Sequence, residues 1–192
     1  WLVTCARFVV GLTVVAAVFR REVRIGRLFT TGKLATRGII GGISVCAYYL
    51  TIIHLGAGRA TFINNTYVIF GALLAVWFIG EPFGRVLAVG SGAALTGLAL
   101  LTNAFSASGH PGPYDLLAVL AAVASGYVVV TIRQLHATDH TSTIFAAQCV
   151  YGLLICLVPA ALYLEPVSAP AWVVMVLAGV FAAAGQITMT QA

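Results

Sequence analysis

Seven stretches of this chain stay apolar on every face for about the 20 residues a helix needs, at ~1.5 Å per residue, to cross a ~30 Å hydrocarbon layer. They run from Trp1 to Phe19, Leu34 to His54, Ala60 to Ile79, Gly84 to Thr102, Tyr114 to Ile132, Thr141 to Tyr163 and Ala171 to Ala192. Short connections with Gly or Pro breakers separate several of them: Gly56-Ala57-Gly58-Arg59, Gly80-Glu81-Pro82, Ser108-Gly109-His110-Pro111-Gly112-Pro113 and Glu165-Pro166. Barrel strands would alternate apolar and polar residues over about 10 positions, and these runs do not. Charged residues make up 8% of the chain and hydrophobic ones 61%. A soluble surface needs about 25% charged residues, so an ordinary soluble enzyme, a disordered chain and a secreted disulfide scaffold are all excluded. The predicted fold is all-α and integral to the membrane, a bundle of about seven transmembrane helices.

The formal charge is +5, and six of the ten bases lie between Arg20 and Arg37. Nucleic acid would call for a basic stripe on a polar surface, and none is present. The first, third and fifth connections hold Arg20, Arg21, Arg24, Arg27, Lys33, Arg37, Arg85 and Arg133, whereas the second, fourth and sixth hold Arg59 alone. This asymmetry puts the odd connections in the cytoplasm, the first residue outside and the last inside. The four cysteines, Cys5, Cys46, Cys149 and Cys156, all sit in apolar runs with no CxxC spacing and read as small buried hydrophobes. Trp1 and Gln191-Ala192 fall inside apolar runs. The chain therefore reads as a piece of a longer membrane protein, and its function is that of the parent.

From Arg37 to Asn103 the residues follow a pattern. Arg37-Gly38 opens a helix, Tyr48-Tyr49 follows, and Gly56-Ala57-Gly58-Arg59-Ala60 makes a small-residue turn. A further run ends in Phe78-Ile79-Gly80-Glu81-Pro82, and a glycine-rich run from Gly90 to Leu101 closes the unit. This resembles the EamA-type repeat of the drug/metabolite transporter superfamily. Arg7 in Ala6-Arg7-Phe8 and Arg133 in Ile132-Arg133-Gln134 match arginines common in that family, and Gly179 to Gln191 resembles the start of a third helix in a second repeat. The resemblance implies ten helices in two inverted repeats, of which this chain covers the second to the eighth. On that frame residues 1–103 complete the first repeat, 104–113 form an external linker, and 114–192 begin the second repeat. The family often has a proline about thirteen residues before the Gly-Glu glutamate, kinking the helix. Here that position is Val68, preceded by Asn64-Asn65-Thr66-Tyr67.

Polar residues inside spans face protein or water. Arg7 is either an anion or gating site, or a base that snorkels or bonds backbone carbonyls. Asn64, Tyr67, Val68 and Gly71 share a face by helical spacing, while Asn65 points about 100° away. These groups either line a cavity or bond helix to helix. Tyr48 lies about two turns before the Gly56-Ala57-Gly58 turn and Tyr67 about two turns after it, at matched depth. Tyr127, Gln148 and Gln186 are further candidates for the lining. Gly38 and Gly42 form a small-xxx-small contact for close helix packing. Trp77 suits the membrane interface, and Glu81 is either a coupling carboxylate or a helix-end partner for Arg85 or another loop base. His136, Asp139 and His140 form a short polar cluster that reads as a solvated connection rather than a metal site.

No HExxH, GxSxG, Walker A or paired-Asp motif is found. With the resemblance, the expected function is transport of a small metabolite, amino acid or drug-like compound across the inner membrane, as an exporter working by alternating access. The partners are then a small-molecule substrate and the lipid bilayer, with room for a homo-oligomer, and no nucleic acid or cofactor is called for. The competing classes are a membrane-embedded enzyme and a non-transporting scaffold subunit.

Overall fold

The computed structural model describes residues 1–80, 82, 84–101, 112–163 and 166–191. Glu81, Glu165 and the proposed linker up to Pro111 lie outside the described residues. Among the described residues there are nine helices: α1 Leu2–Val18, α2 Ile25–Thr30, α3 Gly32–Leu55, α4 Ala57–Asn65, α5 Tyr67–Ile79, α6 Arg85–Leu101, α7 Pro113–Leu135, α8 Thr141–Leu162 and α9 Ala169–Gln191. Among the described residues each of the seven apolar runs is mostly helical. Five segments are long and apolar enough to cross a membrane, namely α3, α4 with α5, α7, α8 and α9, and α1 is a shorter apolar helix. The protein is a multi-pass helical membrane bundle.

Two findings refine the reading from sequence. The basic first connection contains a helix, α2, whose Leu28 is buried while Ile25 and Phe29 are exposed. The third run is two helices rather than one. Thr66 interrupts it with φ −65° and ψ −7°, away from the helical ψ of about −42°. Its N–H bonds Ile63 O at 3.1 Å in a tight i to i−3 turn, and its hydroxyl donates to the same carbonyl at 2.6 Å. The interruption lies two residues before Val68, the position where the family often has proline. Of the four residues expected on one face, Asn64 lies before the interruption and Tyr67, Val68 and Gly71 after it; Gly71 is buried and Val68 is 61% exposed. Gly56 and Gly80 flank this broken segment with φ of 79° and 78°, left-handed values that glycine adopts without a Cβ clash.

The chain divides into two compact units, one of residues Trp1–Cys46 with Thr131–Ala192 and one of Ala47–Val130. In the first unit α8 is central, and every residue from Thr141 to Cys149 is buried. Close approach is made possible by glycine. A Cβ on Gly42 would lie 2.7 Å from Gly152 Cα, and one on Gly38 would lie 2.7 Å from Ala147 O. On the other side Gly11 faces Cys149, Gly152 faces the Phe8 ring, and Gly179 of α9 faces Val10 of α1. The expected packing role of Gly38 and Gly42 is therefore met, against α8. In the second unit Ile63 and Ala118 form a small core with Leu55 and Val119, and Gly126 of α7 abuts Gly71 of α5. Trp77 at 82% and Phe181 at 74% are among the exposed apolar side chains, as a surface solvated by lipid requires.

Candidate functional site

Polar groups in the second unit gather around the broken segment. The Tyr48 hydroxyl is 2.8 Å from Thr61 Oγ1, bonding α3, about two turns before the tight turn, to α4, about one turn after it. The Tyr48 and Tyr49 rings lie 5.7 Å apart. Asn64 is half-buried and Asn65 exposed. Asn64 Oδ1 is buried with no hydrogen-bond partner among the described residues, an arrangement that costs free energy in a low-dielectric interior. Tyr67 is half-buried at the start of α5. Tyr127 of α7 is half-buried and meets Phe78 edge to face at 6.1 Å. The structure thus brings Tyr48 to Thr61, and Asn64 and Tyr67 to the two sides of the Thr66 break.

The first unit holds Arg7, Gln148 and Gln186. Gln148 is 4% exposed, and its Oε1 accepts a 2.6 Å bond from Arg37 Nη1. Arg37 is wholly buried. Counting it among the loop bases was wrong, because its side chain turns into the protein from the sixth residue of α3. Its position three residues inside the apolar run, followed by Gly38, Gly41 and Gly42, was the available signal. Arg37 Nε and Nη2 have no acceptor among the described residues. Arg7 on α1 is half-buried. Gln186 of α9 is half-buried, and its backbone carbonyl accepts from Thr190 at 2.7 Å.

Ion pairs occupy the helix ends. Arg27 Nε is 2.8 Å from Asp139 Oδ1, and Arg27 Nη2 donates to Oδ2 at 3.2 Å. Arg59 grips Asp115 the same way, with both bonds at 3.0 Å. His140 Nδ1 is 3.4 Å from Glu22 Oε2 and 2.8 Å from the Ser142 hydroxyl. Beside these groups a polar cavity of about 520 Å³ is lined by Arg21, Glu22, Arg24, His136, Asp139 and His140, among others. Among the described residues no group of three His, Cys, Asp or Glu could hold a metal ion, and Asp139 is committed to Arg27.

Comparison with known proteins adds to this geometry. The family model described as EamA-like transporter family matches residues 1–103. The pseudopaline exporter CntI of Pseudomonas aeruginosa strain UCBPP-PA14 is 26% identical over 160 residues, covering 83% of this chain and 56% of the relative. The protein of the same name in strain PAO1 is 26% identical over the same coverage. The chain thus spans little more than half the length of the curated relatives it matches. No solved structure matches it. The family match covers more than half of the chain, over helices α1 to α6 and the broken segment that carries the amides, and the chain belongs to the EamA-like transporter family.

Proposed function

We propose that the protein to which this chain belongs exports a small metabolite, such as an amino acid or a drug-like compound, across the inner membrane by alternating access. The observation that carries this reading is the polar break at Thr66, flanked by Asn64 and Asn65 near the middle of a 23-residue apolar segment. Irregular backbone at membrane depth is tolerated only where protein or water covers it, and transporters bind solutes at such breaks. The exporter relatives support the direction.

In this reading Tyr48, Asn64, Asn65, Tyr67, Tyr127, Gln148, Gln186 and Arg7 offer donors and acceptors to the solute. Residues 1–103 belong to the first repeat, 104–113 to an external linker and 114–192 to the second repeat. The odd connections face the cytoplasm. No covalent step or cofactor enters, and copies of the protein are free to associate. The test compares solutes released by cells expressing the full-length protein with those released by cells lacking it. A solute that leaves only the expressing cells, and less so with Asn64→Ala at equal protein level, supports the reading. Identical release from both sets of cells refutes it.

A further inference from the structure

The side chain of Arg37 is wholly buried, yet it uses only one of its three nitrogens. Nη1 donates to Gln148 at 2.6 Å, while Nε and Nη2 have no acceptor among the described residues. These two nitrogens form the side-on edge of the guanidinium, whose parallel N–H groups match two oxygens of a carboxylate or phosphate. A buried cation left without a counter-charge is costly, and no described acid supplies one here. Glu22 lies against His140, Asp115 against Arg59, and Asp139 against Arg27.

The edge is also held in place. Gly41 lets the guanidinium lie against α3, since a Cβ there would be 3.2 Å from Arg37 Nη1 and 3.4 Å from Gln148 Cγ. Gln148 comes from the most buried stretch of α8. From the starts of α3 and α8, Arg37 and Gln148 are about 8 and 10 Å along their helices, so the pair sits inside the span rather than at its rim. Snorkelling, which keeps an arginine head in water, does not describe a side chain with no exposure.

We infer that the Nε and Nη2 edge of Arg37, steadied by Gln148, seats a carboxylate or phosphate group of the transported solute. The assignment rests on the transport reading and narrows its substrate class to anionic solutes. A lipid headgroup carries the same phosphate chemistry, so the test separates the two sources.

The experiment follows the melting temperature of the purified full-length protein in neutral detergent, with glutarate, inorganic phosphate or the uncharged glutaramide added. Parallel samples are reconstituted in phosphatidylcholine vesicles with and without phosphatidylglycerol. Glutarate or phosphate should raise the melting temperature and glutaramide should not. Arg37→Gln should weaken the apparent affinity about tenfold or more, with Arg37→Lys in between. Gln148→Glu gives Arg37 an internal counter-charge; it should keep or raise the melting temperature of the protein alone while removing the anion response. That variant keeps the test decisive if Arg37→Gln fails to fold. An unchanged response in Gln148→Glu, or no response to either anion in the native protein, overturns the assignment. A response confined to phosphatidylglycerol overturns it for the solute and gives the edge to a lipid headgroup. Melting requires no translocation. Export without an anion response therefore sinks this inference alone, and an anion response without export leaves the anion seat standing but sinks the transport reading and with it the assignment to a transported solute.

Discussion

Placing a methyl group on Gly42 tests the packing of α3 on α8. The added carbon would lie 2.7 Å from Gly152 Cα, 3.1 Å from Ile155 Cδ1 and 3.2 Å from Gly152 N. Ordinary carbon contacts lie at about 3.5–4.0 Å, so the backbone contact is short by about 1 Å. Ile155 can rotate its terminal methyl away. Gly152 cannot yield in the same way, because the obstructing atoms are backbone and the Phe8 ring sits against the same residue. Overpacking of this kind costs about 1–3 kcal/mol, against a helix-propensity gain of up to about 1 kcal/mol for Gly to Ala. The expected net loss for Gly42→Ala is on the order of 1–2 kcal/mol. Gly90→Ala is the control, since nothing lies within 4 Å of its added carbon, and it should be neutral or stabilising. The assay is thermal loss of monodisperse protein in detergent for the two variants side by side. Equal melting temperatures for Gly42→Ala and Gly90→Ala would refute the argument.

Arg27→Ala strips the fully buried Asp139 carboxylate of its cation, leaving it the Thr138 hydroxyl at 2.8 Å. Arg27→Ala should therefore destabilise more than Arg27→Ala with Asp139→Asn, and the reverse order in a denaturant series contradicts the pairing. Tyr48→Phe removes the bond to Thr61 and should cost about 0.5–1.5 kcal/mol; in export assays its apparent affinity should shift while the folded yield holds. If folded yield falls and transport per folded molecule stays constant, Tyr48 only ties α3 to α4. In a background lacking the four buried native cysteines, a cysteine at Ser168 should react with an impermeant maleimide in intact cells and one at His136 only after lysis. The opposite pattern inverts the proposed topology.

The spans were legible because lipid solvation imposes a length and an all-round apolar character that no loop shares. The turn glycines were legible too, since Gly56 and Gly80 stand where left-handed backbone begins and ends the broken segment. The small helix α2 was not, because six residues bearing Gly26 and Arg27 among apolar neighbours have no resolvable period. The break at Thr66 was half legible. The missing proline and the two amides marked the place, but a threonine's choice between continuing a helix and turning it is decided by neighbours. Arg37 was misassigned because counting charges along the chain treats each base near a loop as belonging to it. Its bond to Gln148 spans 111 positions, a relation set by helix packing and invisible to local spacing.

The threonine break has a mechanical consequence. A proline lacks the N–H that would close the helical ladder, so a break made by proline is permanent. Thr66 keeps its N–H, which now bonds Ile63 O alongside the hydroxyl, and moving that bond one carbonyl back would restore an unbroken helix from Ala57 to Ile79. The switch breaks no covalent bond and exposes no backbone group to lipid for lack of a donor. The two halves of this segment are thus joined at a residue that keeps the backbone donor a proline would lack.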